Sequence, residues 1–337
     1  MLINDLVNIS FWTGSPDIVY NLIGIVLFVI IVSIIFSVYG YVIGWLERKL
    51  IARAQYRHGP TYVGMWGILQ NLADLIKLLA KQDLALENAD KFLYTVSVPI
   101  ILALSVFIIL ILPYSPSLQA TNLGFGLIIA FTIISFLPLL MFTSGFATGN
   151  KFADISAQRS VLILISYEVP TLIVVAGIAM LSGSYSFQGI IQAQASNFYF
   201  AALMPIGLII FFITMLAEFE RPPFDLREAD NELIAGWLTD YSSPYYALSL
   251  FIDYARMFLG SVLIAILFFG GWLGPILPPI VWLLLKAFII SLFIIMIRAT
   301  AFRMRIDRIL RLGWLWLVPL SLINLIITYI VFVGLPT

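Results

Sequence analysis

Between Ala217 and Asp240 the chain carries seven acids, Glu218, Glu220, Asp225, Glu228, Asp230, Glu232 and Asp240, against two bases, Arg221 and Arg227. Carboxylates crowded this closely and partly withdrawn from water repel one another, so some keep their protons well above the usual range. They titrate as a coupled set and are able to hold or pass protons near pH 7. If residues 225–235 are helical, Asp225, Glu228 and Glu232 share one face at spacings of three and four. The chemistry on offer is proton capture and transfer. The plainer alternative is a solvated acidic loop held by a basic partner.

Glu168 is an acid of another kind. It lies in ISYEVP, inside an apolar run. A charge at the centre of a membrane span costs ~2.5–3.5 kcal/mol on insertion scales, so such a group faces a cavity or a partner. Tyr167 is placed to donate to it, and Pro170 loosens the local backbone. A structural, hydrogen-bonded acid is the alternative. Asp253, Arg256 and Lys286 are the other charges within apolar segments, and Asp253 and Arg256, three apart, form a candidate ion pair on one helix face. Arg48, Arg53, Arg57, Arg298, Arg303 and Arg305 offer fixed donors for partner carboxylates or lipid phosphates. Metal chemistry has little to work with. There is no cysteine and one histidine, His58, which excludes a thiolate-held iron–sulfur cluster and speaks against haem or zinc ligation by this chain. No metal site and no bound cofactor are expected.

The elements that must position these residues are membrane helices. Of 337 residues, 62% are hydrophobic and 11% charged, far from the composition of a soluble domain. About 20 apolar residues cross the hydrocarbon core. Runs near 18–45, 93–113, 124–146, 160–182, 199–217, 244–270, 278–297 and 313–334 meet that need. The expected fold is all-α, a polytopic membrane protein of about eight transmembrane helices, with one membrane domain over residues 1–337. An amphipathic stretch, roughly 64–81, carries Asp74, Lys77 and Lys81 among Leu and Ile and is expected to lie at the interface. The connections near 111–123, 183–198 and 271–280 carry no charge, and 16 of the 18 Lys and Arg residues fall in the other set of loops. The positive-inside rule puts those loops in the cytoplasm and both termini outside. Net charge is zero, so nucleic acid is not an expected partner. The start, MLINDLVNIS, lacks a basic region and a cleavage site, so no signal peptide is expected.

Four polar segments carry a resemblance. They are ERKLIARAQYRHGPTYVGMWGILQNLADLIKLLAKQD at 47–83, ISYEVP at 165–170, AEFERPPFDLREADNELIAGWLTDYSSPYYAL at 217–248 and RATAFRMRIDRILRLGW at 298–314. In order and spacing they resemble one membrane component of respiratory complex I, known as the H subunit in bacteria and as subunit 1 in mitochondria. That family's third loop reads like AE..R.PFDL.EAE.EL. This chain departs from the family at Met65, Thr61 and Asn71, has Asp for Glu at 230 and 240, and has Phe302 before Arg303 and Arg308 after Asp307. The resemblance implies a cell-membrane component of a proton-translocating oxidoreductase that takes electrons from NADH or another carrier and passes them to quinone. This chain would hold no redox centre. Flavin and iron–sulfur clusters would sit in partner subunits, and the chain would dock the peripheral quinone-site subunits beside other membrane-arm subunits and lipid. Arg48, Arg57, Asp74, Lys77, Phe224, Arg298 and Arg303 would line the quinone chamber. Glu168, Glu218, Asp225, Glu228, Asp230, Glu232, Asp240 and Asp253 would start the proton path. The alternatives are the equivalent component of a membrane-bound hydrogenase or ferredoxin-linked complex and, further off, a secondary transporter, for which no internal repeat is visible.

Overall fold

The computed structural model describes residues 18–84, 86–119, 122–196, 198–227 and 230–330, with only the backbone of 18–23, 230 and 231. Glu228 lies outside the described residues, as do both termini. The helices are α1 (Ile18–Ala54), α2 (Gln70–Leu79), α3 (Lys91–Ile111), α4 (Gly126–Ala147), α5 (Lys151–Ser182), α6 (Phe187–Ser196), α7 (Phe200–Leu203), α8 (Pro205–Glu218), α9 (Asp230–Leu233), α10 (Ser243–Phe268) and α11 (Pro279–Thr300). The last, α12 (Ile306–Thr328), contains a π-helical stretch at Leu312–Leu317. No strand occurs among the described residues.

Seven of these, α1, α3, α4, α5, α10, α11 and α12, are long and apolar enough to cross a membrane, and α8 is a shorter apolar helix. Their ends follow local chemistry. Asp90 caps α3 by accepting from the Phe92 and Leu93 amides, and Asn150 caps α5 through Phe152. Gly183 ends α5 in the left-handed conformation, at φ 63°. Pro99, Pro138 and Pro170 sit inside α3, α4 and α5, where neighbouring helices tolerate them.

Two boundaries differ from the sequence expectation. Helix α1 continues through the charged residues to Ala54, so Glu47, Arg48 and Arg53 are helical. The expected fifth span breaks at Met204, because Pro205 has no N–H to donate and disfavours helix before it. What remains, α8, has 14 residues, roughly 21 Å of helix against a ~30 Å hydrocarbon core.

Helix α10 organises the packing. It contacts α1, α2, α3 and α11, while α5 gathers α4, α8 and α12. In its apolar window 78% of α10 is buried, against 22% for α1 and 28% for α12. Contacts gather the charged connections at one end. The Asp90 amide donates to the Ala147 carbonyl and the Met304 amide to the Pro223 carbonyl. At the opposite, uncharged end, Lys286 Nζ donates to the carbonyls of Phe269, Gly271 and Leu273 at 2.7–2.9 Å. The amphipathic α2 buries no residue completely. It is tied to α1 by Tyr41, whose hydroxyl donates to the Ile68 carbonyl at 2.5 Å, and by Asn71, which donates to the Tyr41 carbonyl at 3.2 Å.

Candidate functional site

The site is built on Glu47, a buried carboxylate in the last two turns of α1. Arg221 Nη1, from the turn after α8, lies 2.7 Å from its Oε1, and Arg298, in the last turn of α11, holds the same oxygen. The Tyr254 hydroxyl of α10 hydrogen-bonds to it as well. One acid thus joins three elements, and the geometry satisfies a charge that would be costly to bury alone. Gly44 lets Tyr254 come close: a Cβ there would lie 3.0 Å from the phenol Cζ.

Beside it stands a second ionic cluster. Arg227 Nη1 is 2.8 Å from Glu220 Oε2, and Nη2 is 3.5 Å from Asp253 Oδ1. The guanidinium also sits 5.1 Å from the Trp237 ring centroid. Ser156 Oγ donates to the Arg227 carbonyl at 2.7 Å. Gly236, at φ 60°, is required against that carbonyl, because a Cβ would come within 2.0 Å of it.

The two clusters enclose a chamber of about 450 Å³, whose wall also includes Arg48, Arg57, Asp225, Tyr246 and Leu250. A second cavity of about 380 Å³ adjoins it between α1, α2 and α10. Phe36, Gly40, Leu72, Leu75, Leu78 and Phe251 make it chiefly apolar, with Arg48, Asn71 and Asp74 as its polar border. Arg48, Leu250 and Tyr254 belong to the walls of both.

Arg48 Nη1 lies 2.6 Å from Asp74 Oδ2, while Lys77, further out, is 3.9 Å from the other oxygen. Partial desolvation pushes the Asp74 carboxyl up, but hydrogen bonds from Arg48 and Gln70 and the charges of Arg48 and Lys77 outweigh it and hold the carboxyl below its ordinary range. Arg57 lines the chamber and donates Nε to Gln55 at 2.8 Å. Asp225 lines the chamber and pairs with Arg303 at 3.2 Å. Phe224 is not on the chamber wall; it is buried edge-on against the Tyr167 ring, with centroids 5.1 Å apart.

The expected acid series is spread out. Residues 225–235 do not form one helix: among the described residues of this range only Asp230–Leu233 is helical, so Asp225 and Glu232 share no helix face. Glu232 reaches instead to Arg159 of α5 at 2.6 Å on the surface. The side chain of Asp230 lies outside the described residues. Glu218 is buried, and its backbone carbonyl accepts from Arg256 Nη2 at 2.5 Å. Arg256 therefore reaches Glu218, and Asp253 is engaged by Arg227, where the sequence pointed to a local Asp253–Arg256 pair. Asp240 Oδ2 is buried without a hydrogen bond among the described residues. Its carbonyl accepts from Tyr94, whose ring stacks on Tyr241 at 4.5 Å. Burial pushes the Tyr241 hydroxyl up to about 12, so it stays a donor, to the Ser144 carbonyl at 3.0 Å.

Glu168 stands apart, half-buried in an apolar groove of about 530 Å³ between α4 and α5. The Tyr167 hydroxyl does not turn to it but donates to the Ile309 carbonyl at 3.5 Å. Sequence reasoning counted Glu220, Arg221 and Arg227 within the acidic stretch but did not place them at a chamber wall, and it did not single out Glu47. The one local signal for Glu47 was an acid at the end of a long apolar helical run.

The NADH dehydrogenase family model matches residues 25–329. The chain belongs to this family. Among curated members, the NADH-quinone oxidoreductase H subunit of Dehalococcoides mccartyi (strain CBDB1) is 37% identical over 285 residues, covering 84% of this chain and 80% of the relative. That of Brevibacillus brevis is 37% identical over 309 residues, covering 90% and 91%. One of Syntrophobacter fumaroxidans, its second by name, is 34% identical over 308 residues, covering 89% and 92%. The match to the family covers every residue that lines the charged chamber and the apolar cavity.

Proposed function

We propose that this chain is the H-type membrane component of a proton-translocating oxidoreductase that reduces quinone with electrons from NADH, the electrons arriving through flavin and iron–sulfur clusters of partner subunits. The observation that carries this reading is the pairing of two unlike cavities through a shared wall. A quinone has a compact head with two carbonyl acceptors and a long apolar tail. The apolar cavity beside α2 suits the tail, and the arginines of the chamber suit the head. Arg48, at the shared wall, is already oriented by Asp74. Arg298 and Arg221 are held by Glu47, so their donors stand ready before substrate arrives.

Charge changes at the head would be felt by carboxylates within the same wall. Asp225 and Asp253 line the chamber, while Glu220, also on its wall, and Glu218 are buried. Glu168, in its own groove, interacts electrostatically with Glu218. That order of acids supports a role at the start of proton coupling. The charged end, with Arg57, Lys81 and the last loop exposed, fits a docking face for peripheral subunits, on the cytoplasmic side by the positive-inside rule.

The reading is tested with the purified complex. Leu250→Trp, which fills the shared wall, should raise KM for a long-tailed quinone at least tenfold and change KM for a tail-less analogue by less than threefold. Equal effects on both quinones would count against tail passage through this wall. Hydrogen or sulfide production by a complex that reduces no quinone would overturn the reading itself.

A further inference from the structure

Arg227 occupies an unusual place between two acids. Its side chain is 3% exposed. Glu220, on one side, is 2% exposed, whereas Asp253, on the other, is 23% exposed on the chamber wall. A single guanidinium therefore touches two acids of the chamber wall, one partly open to the chamber and one almost wholly buried within the wall. Its own position is fixed from behind by the Ser156 hydrogen bond to its carbonyl, by the close approach of Gly236 and by the Trp237 face. Glu220 is fixed too, with a left-handed backbone at φ 50°.

The groups facing this cluster can be named element by element. Helix α10 contributes Asp253 and Arg256, α8 contributes Glu218, the following turn Glu220, and α4 the Met141 sulfur. Arg221, Asp225 and Glu47 lie further along the same chamber wall. Three acids, Glu218, Glu220 and Asp253, thus share two fixed cations, Arg227 and Arg256. The family pattern AE..R.PFDL.EAE leaves positions 220 and 227 open, so the pattern does not call for this buried pair.

We propose that Arg227 is a positioning residue that yokes Asp253 to Glu220, so that neutralising either acid strengthens the guanidinium's pairing with the other. The inference rests on the reading above for its role in the reaction. A proton taken up by Asp253 from the chamber leaves the whole guanidinium charge to Glu220, and loss of that proton shares the charge again. An event on the more exposed acid is thereby passed to the buried one through a guanidinium that keeps its place.

The test is a mutant cycle in the assembled complex, with Glu220→Gln, Asp253→Asn and their double made in the native background and again with Arg227→Gln. In the native background each single should slow quinone reduction about tenfold or more and the double should be no more than about twofold slower than the slower single, an interaction factor of about fivefold or more. With Arg227→Gln that factor should fall below about twofold. The acid limb of the rate against pH should move with Asp253→Asn and stay in place when Arg227→Gln is added, a response that a merely structural arginine would not give. Effects of Glu220→Gln and Asp253→Asn that multiply in both backgrounds would overturn the proposal. Should Arg227→Gln fail to assemble, the charge-balanced Glu220→Gln/Arg227→Gln variant takes its place; on it, Asp253→Asn is expected to have no effect on the acid limb, and an unchanged shift would be contrary. The same cycle read by thermal unfolding in detergent needs no turnover. Coupling there, in a complex that reduces no quinone, would reject the functional reading and leave the role of Arg227 standing.

Discussion

Glu47 holds two arginines that come from the turn after α8 and from the end of α11. Removing one partner of a buried ionic group leaves the others unpaired, at a cost of ~3–5 kcal/mol. Glu47→Gln should therefore lower the thermal midpoint of the purified protein by several degrees and lower quinone reduction with it, while Glu47→Asp recovers part of both. Differential scanning fluorimetry in detergent reads the first and a quinone reductase assay the second. Glycines offer a sharper contrast. Gly236→Ala meets the Arg227 carbonyl at 2.0 Å from a left-handed backbone, whereas a Cβ on Gly124 meets nothing within 4 Å. Gly236→Ala should fail to accumulate in membranes and Gly124→Ala should accumulate normally, as seen by immunoblot. Equal accumulation would contradict the close approach at Arg227.

Helix α2 adds an element that does not cross the membrane yet forms one side of the apolar cavity. Its one strong ionic anchor is the Arg48–Asp74 pair. The Asp74 carboxyl is held below its ordinary value, so the ionised pair contributes fully above the unfolded carboxylate's value of ~4. The contribution disappears as pH falls through the lower, folded value. Hydrogen exchange at residues 70–79 should stay slow down to about pH 4 and quicken below it, and Asp74→Asn should quicken it at neutral pH. At this scale the sequence was a good guide where chemistry is local. The long apolar runs marked the spans, and the amphipathic spacing marked α2. It misled where distant partners decide. Glu47 and Arg48 looked like loop residues because their partners, Arg221, Arg298 and Asp74, lie elsewhere in the chain or on another helix. The spacing of Asp225 and Glu232 suggested a shared face, but Arg303 and Arg159 draw the two apart. The short α8 was visible in principle, since Pro205 interrupts the run.

As a whole, the molecule divides into a charged end that holds the chamber and an uncharged end sealed by Lys286 and the turn at Phe269–Leu273. The chain contains no cysteine, so single thiols can report its orientation without background. Ser117→Cys, exposed at the uncharged end, should react with a membrane-impermeant maleimide in intact cells. Lys81→Cys, exposed at the charged end, should react only after the membrane is opened. The reverse pattern would put the chamber on the outer side and contradict the proposed docking of a cytoplasmic arm.

The bond between Glu47 and Arg298 joins positions 251 residues apart, and that between Glu47 and Arg221 positions 174 apart. A ribosome working at ~5–20 residues per second needs roughly 10–50 s to travel from the acid to its last base. Helix α1 is therefore inserted long before its carboxylate is fully matched, and the chamber closes only as the sixth long apolar helix from the N-terminus arrives. Biogenesis of this chain has a waiting step written into it: a nascent chain halted before Arg298 carries an unfinished acid at the membrane surface, a ready mark for quality-control proteolysis.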